Sequence, residues 1–292
     1  MKLEDLKDYK LVWSDEFDGN ELDPKKWVLQ PMMGTSHRAD GSLVYDLATD
    51  EKVIKVEDSL LKLNVYFDYE RNTFVGPVSP CTKDSMSFKY GYVEMRARVP
   101  YSHGSWASFW TIGRDAINQD KTLPYFSEFD IFEINGTNHC AVANLHKWHK
   151  HQPPFWTEGK PANDAMESTI SNGAGNDKNR YGRYSPENPE DFHTYGFYWT
   201  PEIVETYIDG DMYAHFDITE NFGRESGMAG FRQPQFFIMN NYLLVDNGKS
   251  ARMKDVHATP EDVETQVPYE IDYIRLYQKE GQGELNLAET EE

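Results

Sequence analysis

The chain has 292 residues, with 29 Lys plus Arg against 49 Asp plus Glu, a formal charge of −20 at pH 7. This acidic balance argues against nucleic acid and anionic membranes as partners, because both are held through basic patches. It also disfavours a strongly anionic polysaccharide unless a local basic cleft overrides the net charge.

The length suits one all-β domain, since sandwiches often exceed 200 residues as a single unit, and it is enough to bury a large core. No apolar run approaches a transmembrane helix. The aromatic content of 14% suits both a core and a sugar-stacking surface. Cys81 and Cys140 do not make a disulfide framework; the plain reading is two thiols, with a single bridge left open. His146, His149 and His151 lack Cys or carboxylate neighbours at zinc-ligand spacing and read as cleft or surface residues. The opening Met1-Lys2-Leu3-Glu4-Asp5 is too charged for a signal peptide, so the chain is either cytosolic or a mature form.

Residues 1–10 form a polar lead-in, and 11–17 the first strand, closed by the turn Asp18-Gly19-Asn20. Residues 31–40 are loop. The alternation of Leu61, Leu63, Val65 and Phe67 marks a hairpin over 53–56 and 59–67. Residues 85–100 hold two strands. In 106–112, Trp106 and Trp110 are four apart and share one strand face. Residues 115–126 loop into the strand at 127–133. Its partner follows over 137–148, with Ala141, Ala143 and Leu145 inward.

Residues 150–191 make a long polar loop, of a kind that is usually functional or disordered. Phe155, Trp156, Tyr181 and Tyr184 suggest a cleft wall, and a short helix is expected at 162–170. A hairpin over 192–199 and 203–208 ends at the turn Asp209-Gly210, and 213–216 extends its sheet. After a loop at 221–230, strand 235–244 leads through a loop at 249–266 to the last strand, 269–277. The acidic tail 279–292 has no aromatics and is expected to be disordered. There is no internal repeat and no second domain; residues 1–278 form one unit.

Ser127-Glu128-Phe129-Asp130-Ile131-Phe132-Glu133 organises the chain. On a strand, Glu128 and Asp130 share one face and Phe129 and Ile131 the other. Strict alternation would bury Glu133 and expose Phe132. One extra residue, a β-bulge, returns Glu133 to the carboxylate face and buries Phe132. Three clustered carboxylates cannot all ionise freely, so at least one pKa rises. One ionised and one protonated carboxyl are what glycoside hydrolysis requires; retaining enzymes hold them about 5–5.5 Å apart.

The ordered segments Trp13-Ser14-Asp15-Glu16-Phe17-Asp18-Gly19, Tyr90-Gly91-Tyr92-Val93-Glu94-Met95-Arg96, Gly104-Ser105-Trp106-Ala107-Ser108-Phe109-Trp110, the Glu128/Asp130/Glu133 strand, Phe192-His193-Thr194-Tyr195-Gly196-Phe197-Tyr198-Trp199 with Tyr207-Ile208-Asp209-Gly210, and Tyr269-Glu270-Ile271-Asp272-Tyr273-Ile274-Arg275 carry a resemblance. From residue 11 to 278 the chain resembles glycoside hydrolase family 16, in the bulged branch with the motif Glu-x-Asp-x-x-Glu. The resemblance implies a β-jelly-roll sandwich of two curved antiparallel sheets with a concave substrate cleft. It implies retaining cleavage inside polysaccharide chains, with Glu128 as nucleophile, Glu133 as acid/base and Asp130 bonded to a catalytic carboxyl.

The same resemblance puts Trp106, Trp110, Tyr125, His146, Trp148, Trp199 and Asn240 at the substrate. Catalysis needs no cofactor, but a structural calcium between the first and last strands is implied, with Glu16 and Asp272 as ligands. The partner is a polysaccharide, with no nucleic acid and no membrane. The expected state is a monomer, secreted or periplasmic in mature form. The first substrate expectation is a β-1,3- or β-1,3/1,4-glucan. Many such enzymes have Trp-Pro-x-x-Gly before the first Glu, where this chain has Leu123-Pro124-Tyr125-Phe126-Ser127, with Tyr125 the substitute aromatic. The alternative is a marine galactan (agarase, porphyranase or carrageenase type), whose sulfated forms would need His37, Arg38, Lys147, Lys150, Arg180 or Arg183 in the cleft. A non-catalytic carbohydrate-binding protein on the same sandwich is the remaining alternative, and it would have no need of the carboxylate trio.

Overall fold

The computed structural model describes residues 5–32, 35–37, 43–123, 125–136, 139–149, 166–171, 183–219, 228–244 and 256–289. Alternating apolar residues pair these segments into two large, mainly antiparallel sheets of eight strands each. The first sheet runs Asp211–Asp217, Ile203–Ile208, Phe192–Trp199, Gly91–Arg98, Tyr269–Lys279, Leu60–Leu63, Ile54–Glu57, with Tyr9–Asp15 also paired to Tyr269–Lys279. The second runs Met166–Ser171, Cys140–His149, Tyr125–Asn135, Ser105–Ile112, Phe236–Leu243, Ser79–Cys81, Val28–Gln30, with Arg183–Tyr184 on Cys140–His149. The order is not the chain order, as in a jelly roll.

One face of each sheet supplies the main core. Val93, Met95, Ala97, Phe197, Ile274 and Leu276 of the first sheet share a buried cluster with Phe109, Phe129, Ile131, Phe132, Phe237 and Met239 of the second. Ring pairs cross between the layers, with Phe132 to Tyr195 at 4.3 Å and Phe129 to Phe197 at 5.6 Å. Each such ring contributes roughly 1.5–3 kcal/mol by leaving water. The second sheet is therefore anchored through one face, and its other face carries the polar residues of the site.

Three expectations are corrected. The tail is not disordered through 289: Glu284–Leu287 pairs antiparallel with Met86–Lys89. Leu285 packs against the core, the Ala288 N–H donates to Ser85 O, and Lys89 meets Glu284 at 2.5 Å. These contacts outweigh a composition that reads as disorder. The helix expected at 162–170 is, in its described part, the strand Met166–Ser171, with Leu145 opposite Ile170; edge pairing prevails there. The loop expected at 249–266 contains a helix, Pro260–Thr265, started by a capping box between Thr259 and Asp262. Cys81 is buried and no disulfide joins it to Cys140. Among the described residues, no helix is long and apolar enough to cross a membrane.

Candidate active site

The strand Tyr125–Asn135 carries the bulge. Against Ser105–Ile112, Trp110 faces Asp130 while Phe109 faces Phe132, so Ile131 is the extra residue. The strand Cys140–His149 shows the same break: Asn144 faces Asp130 and Val142 faces Glu133, leaving two residues opposite Ala143. Phe129, Ile131 and Phe132 are all buried, and Glu128, Asp130 and Glu133 stand together on the other face. Were these residues to alternate strictly, with no bulge, Glu133 would point into the core.

Neighbouring strands supply one donor after another by simple alternation. On Cys140–His149, Ala141, Ala143 and Leu145 face the core, so Asn144, His146 and Trp148 face the carboxylates. Trp148 Nε1 donates to Glu128 Oε2 at 3.1 Å. His146 Nε2 lies 2.8 Å from Asp130 Oδ2 and 3.7 Å from Glu128 Oε1. Glu133 accepts from Trp106 Nε1 at 3.0 Å on one oxygen and from Asn144 Nδ2 at 2.9 Å on the other. Trp110 Nε1 donates to Asn240 Oδ1 at 2.7 Å. Two tryptophans and an asparagine thus fix the two glutamates from opposite sides.

The electrostatics follow from burial among like charges. Burial, then the Asp130 charge, push Glu128 up to about 8, while His146 and the Trp148 N–H oppose the rise. Glu133 is raised well above the usual carboxylate range, by burial first and Asp130 second. Burial alone would lower His146, but Asp130, Glu128 and Glu133 outweigh it and raise the ring to about 10. Both glutamates are thus held above the usual carboxylate range, and the His146 cation and the Trp148 N–H act on Glu128 in the opposite sense, toward its carboxylate.

A family model described as β-porphyranase A–D, GH16 domain, matches residues 10–279. The chain belongs to glycoside hydrolase family 16. It is 24% identical over 294 residues to glucan endo-1,3-β-glucosidase A1 of Niallia circulans, covering 92% of this chain but only 38% of that protein. It is 25% identical over 268 residues to β-porphyranase B of Zobellia galactanivorans, covering 82% and 86%. The laminarinase structure from Rhodothermus marinus superposes with a TM-score of 0.62 at 23% identity, covering 92% of this chain and 97% of that one.

Within this family 16 site, Trp106, Trp110, His146 and Trp148 all lie on the carboxylate face. His146 sits closer to the chemistry than a substrate contact, inside the carboxylate group itself. Asn240 is 4% exposed and its side-chain oxygen accepts from the Trp110 indole N–H, so it holds that ring. Two expectations are corrected. Tyr125 has the parity of Ser127 and Phe129, so it faces the core; it is 1% exposed, accepts from the Gly230 N–H at 3.1 Å and lies under the Lys147 ammonium. Trp199 is also 1% exposed; it packs on Phe88 and Phe129 and donates to Phe231 O at 3.1 Å.

Of the basic candidates, Lys147 is fully buried on the core-facing parity of its strand, which removes it from the cleft. Arg38, Lys150 and Arg180 lie outside the described residues, as do Phe155, Trp156 and Tyr181 of the expected cleft wall; the side chains of His37 and Arg183 do too. Sequence reasoning missed Asn144, although the inward Ala141, Ala143 and Leu145 already implied its direction.

The calcium ligands fail a test of fit. Both Glu16 oxygens are taken by Arg275, at 3.0 and 2.6 Å, and Asp272 pairs with Arg96 at 2.5 Å. Calcium needs several oxygens turned to one point. Two carboxylates each neutralised by a guanidinium do not form such a set.

Proposed function

We propose that this chain is a retaining, endo-acting glycoside hydrolase that cleaves internal β-glycosidic bonds of a polysaccharide. The observation that carries the reading is the cluster in which His146 joins Asp130 and Glu128 while Trp106 and Asn144 hold Glu133 beside them, so that the two glutamates are set apart in environment. Glu128 lies beside a cation and an indole N–H, which favours its carboxylate. Glu133, buried beside Asp130 and raised well above the usual carboxylate range, keeps its proton.

Glu133 gives that proton to the leaving oxygen as Glu128 attacks the anomeric carbon, and the glycosidic bond breaks. The ester neutralises Glu128 and removes a charge that raised Glu133. Glu133 then takes a proton from water, the hydroxyl attacks the anomeric carbon, and Glu128 leaves as a carboxylate. Asp130 and His146 hold charge beside both steps without entering either. A binding protein would have no use for this arrangement, which counts against the non-catalytic alternative.

The first substrate reading is a β-1,3- or β-1,3/1,4-glucan, in line with the glucanase relatives and with an acidic, indole-rich face. A second reading, a sulfated galactan, is supported by the porphyranase family model. Release of reducing ends from laminarin, mixed-linkage glucan, agarose and porphyran, with product sizing, tests both. Oligosaccharides from a glucan support the first. Products from porphyran alone would transfer the assignment to the second. No release from any polysaccharide would remove the hydrolase reading.

A further inference from the structure

An opening in the described structure lies on the other sheet. It has a volume of about 650 Å³, inside the range of small-ligand sites. Tyr9, Tyr90 and Tyr198 line it, with the turn at 200–203 on one side and the turn at 279–284 on the other. Trp199 points into the core, so its neighbour Tyr198 points outward by alternation. The Tyr9 and Tyr198 hydroxyls meet at 3.5 Å, and the Tyr90 ring packs edge-on to Trp199 at 4.9 Å.

The wall is built to hold its shape. The Gln278 amide donates to Lys89 O, Tyr90 O and Glu284 O, at 3.2, 2.9 and 2.9 Å, tying three segments of the rim together. Tyr90 sits at φ 61 and Gly91 at φ 126. A bulky residue with positive φ is an outlier, and such strain clusters at ligand sites when the surroundings enforce it. A side chain at Gly91 would strike Tyr277 O at 2.5 Å.

The chemistry selects the occupant. The lysines at the rim are already matched, Lys89 with Glu284 at 2.5 Å and Lys279 with Asp8 at 3.2 Å, and the lining also carries the Glu202 carboxylate, so the pocket is not built for an anion. What is offered is ring faces flanked by phenol hydroxyls, an amide at Gln282 and turn backbone. Ring faces with hydrogen-bonding edges are the amphipathic pattern of a sugar.

We propose that this pocket is a second carbohydrate-binding site, on the sheet opposite the catalytic face, which takes a neutral segment of the polysaccharide the enzyme works on. It rests on the glycoside hydrolase reading for the identity of its ligand. A chain held there keeps the enzyme on an insoluble substrate between cleavages and raises the local concentration of bonds at the catalytic face.

The test uses Glu128→Gln as a non-hydrolysing parent, with insoluble β-1,3-glucan and agarose as probes. The parent should be depleted from solution by at least one of them, and Tyr198→Ala in that parent should weaken the binding about tenfold. In the active enzyme, Tyr198→Ala should leave kcat/KM on short soluble oligosaccharides unchanged and slow attack on the insoluble polymer. Hydrogen exchange on the parent covers a variant that folds poorly: soluble oligosaccharide of the retained polymer should protect the 200–203 and 279–284 turns. Parent-like retention by folded Tyr198→Ala, absence of protection at both turns, or retention on neither probe overturns the site. Failure of the hydrolase reading would appear separately, as no reducing ends from the active enzyme.

Discussion

At the scale of the residue, the roles divide by environment rather than by type. Glu128→Gln should abolish turnover while leaving the fold intact, because an amide cannot serve as the attacking group; near-normal rates would remove the nucleophile assignment. Glu133 leads to a stability prediction whose sign can be worked out. Its folded pKa lies above its unfolded value near 4.3, so the folded state binds the extra proton. Stability from this group is then greatest at low pH and falls as pH rises above about 4.3. Glu133→Gln should therefore raise Tm at pH 7, change it little at pH 4, and abolish turnover. An unchanged difference in Tm between the two pH values would contradict the raised pKa. His146 has the same sign: its raised pKa makes its pairing with Asp130 fully present below about 6.5 and lost as pH climbs through about 10. Removing that cation with His146→Asn should push Glu128 further up, moving the acidic limb of the kcat/KM profile to higher pH.

At the scale of the element, one inserted residue decides the site. The alternation of Glu128, Asp130, Phe129 and Ile131 was readable directly, and the misplaced Glu133 pointed to the bulge that the register shows at Ile131. Deleting Ile131 should remove the bulge and return the strand to strict alternation, which leaves Glu133 on the carboxylate face and Phe132 in the core, so reducing-end release should be lowered but present. Phe132→Ala should cost about 3–5 kcal/mol by denaturant unfolding, since its ring is fully buried against Tyr195.

The unreadable parts have a common cause. The resemblance puts Tyr125 and Trp199 at the substrate, although both share the parity of core residues on their own strands. The tail was judged on charge, but Leu285 and its pairing with Met86–Lys89 are long-range facts that composition does not contain. The separate arginine pairs of Glu16 and Asp272 likewise depend on which strands become neighbours.

At the scale of the molecule, the sandwich is a support that buries one face of the second sheet and leaves the other for chemistry. Activity should follow a bell in pH. The rate rises as Glu128 loses its proton, near 8 in the free enzyme and well above an ordinary carboxylate, and falls when Glu133 loses its own. An acidic limb at ordinary carboxylate pH would contradict the crowding of the two groups with Asp130. The central claim is that the bulge aligns Glu128 and Glu133 for two successive displacements. Proton NMR of the first products from a polysaccharide the enzyme cleaves tests it most directly, read before mutarotation. The β-anomer appearing first is the predicted result, and an α-anomer appearing first would contradict the double displacement and the roles given to both glutamates.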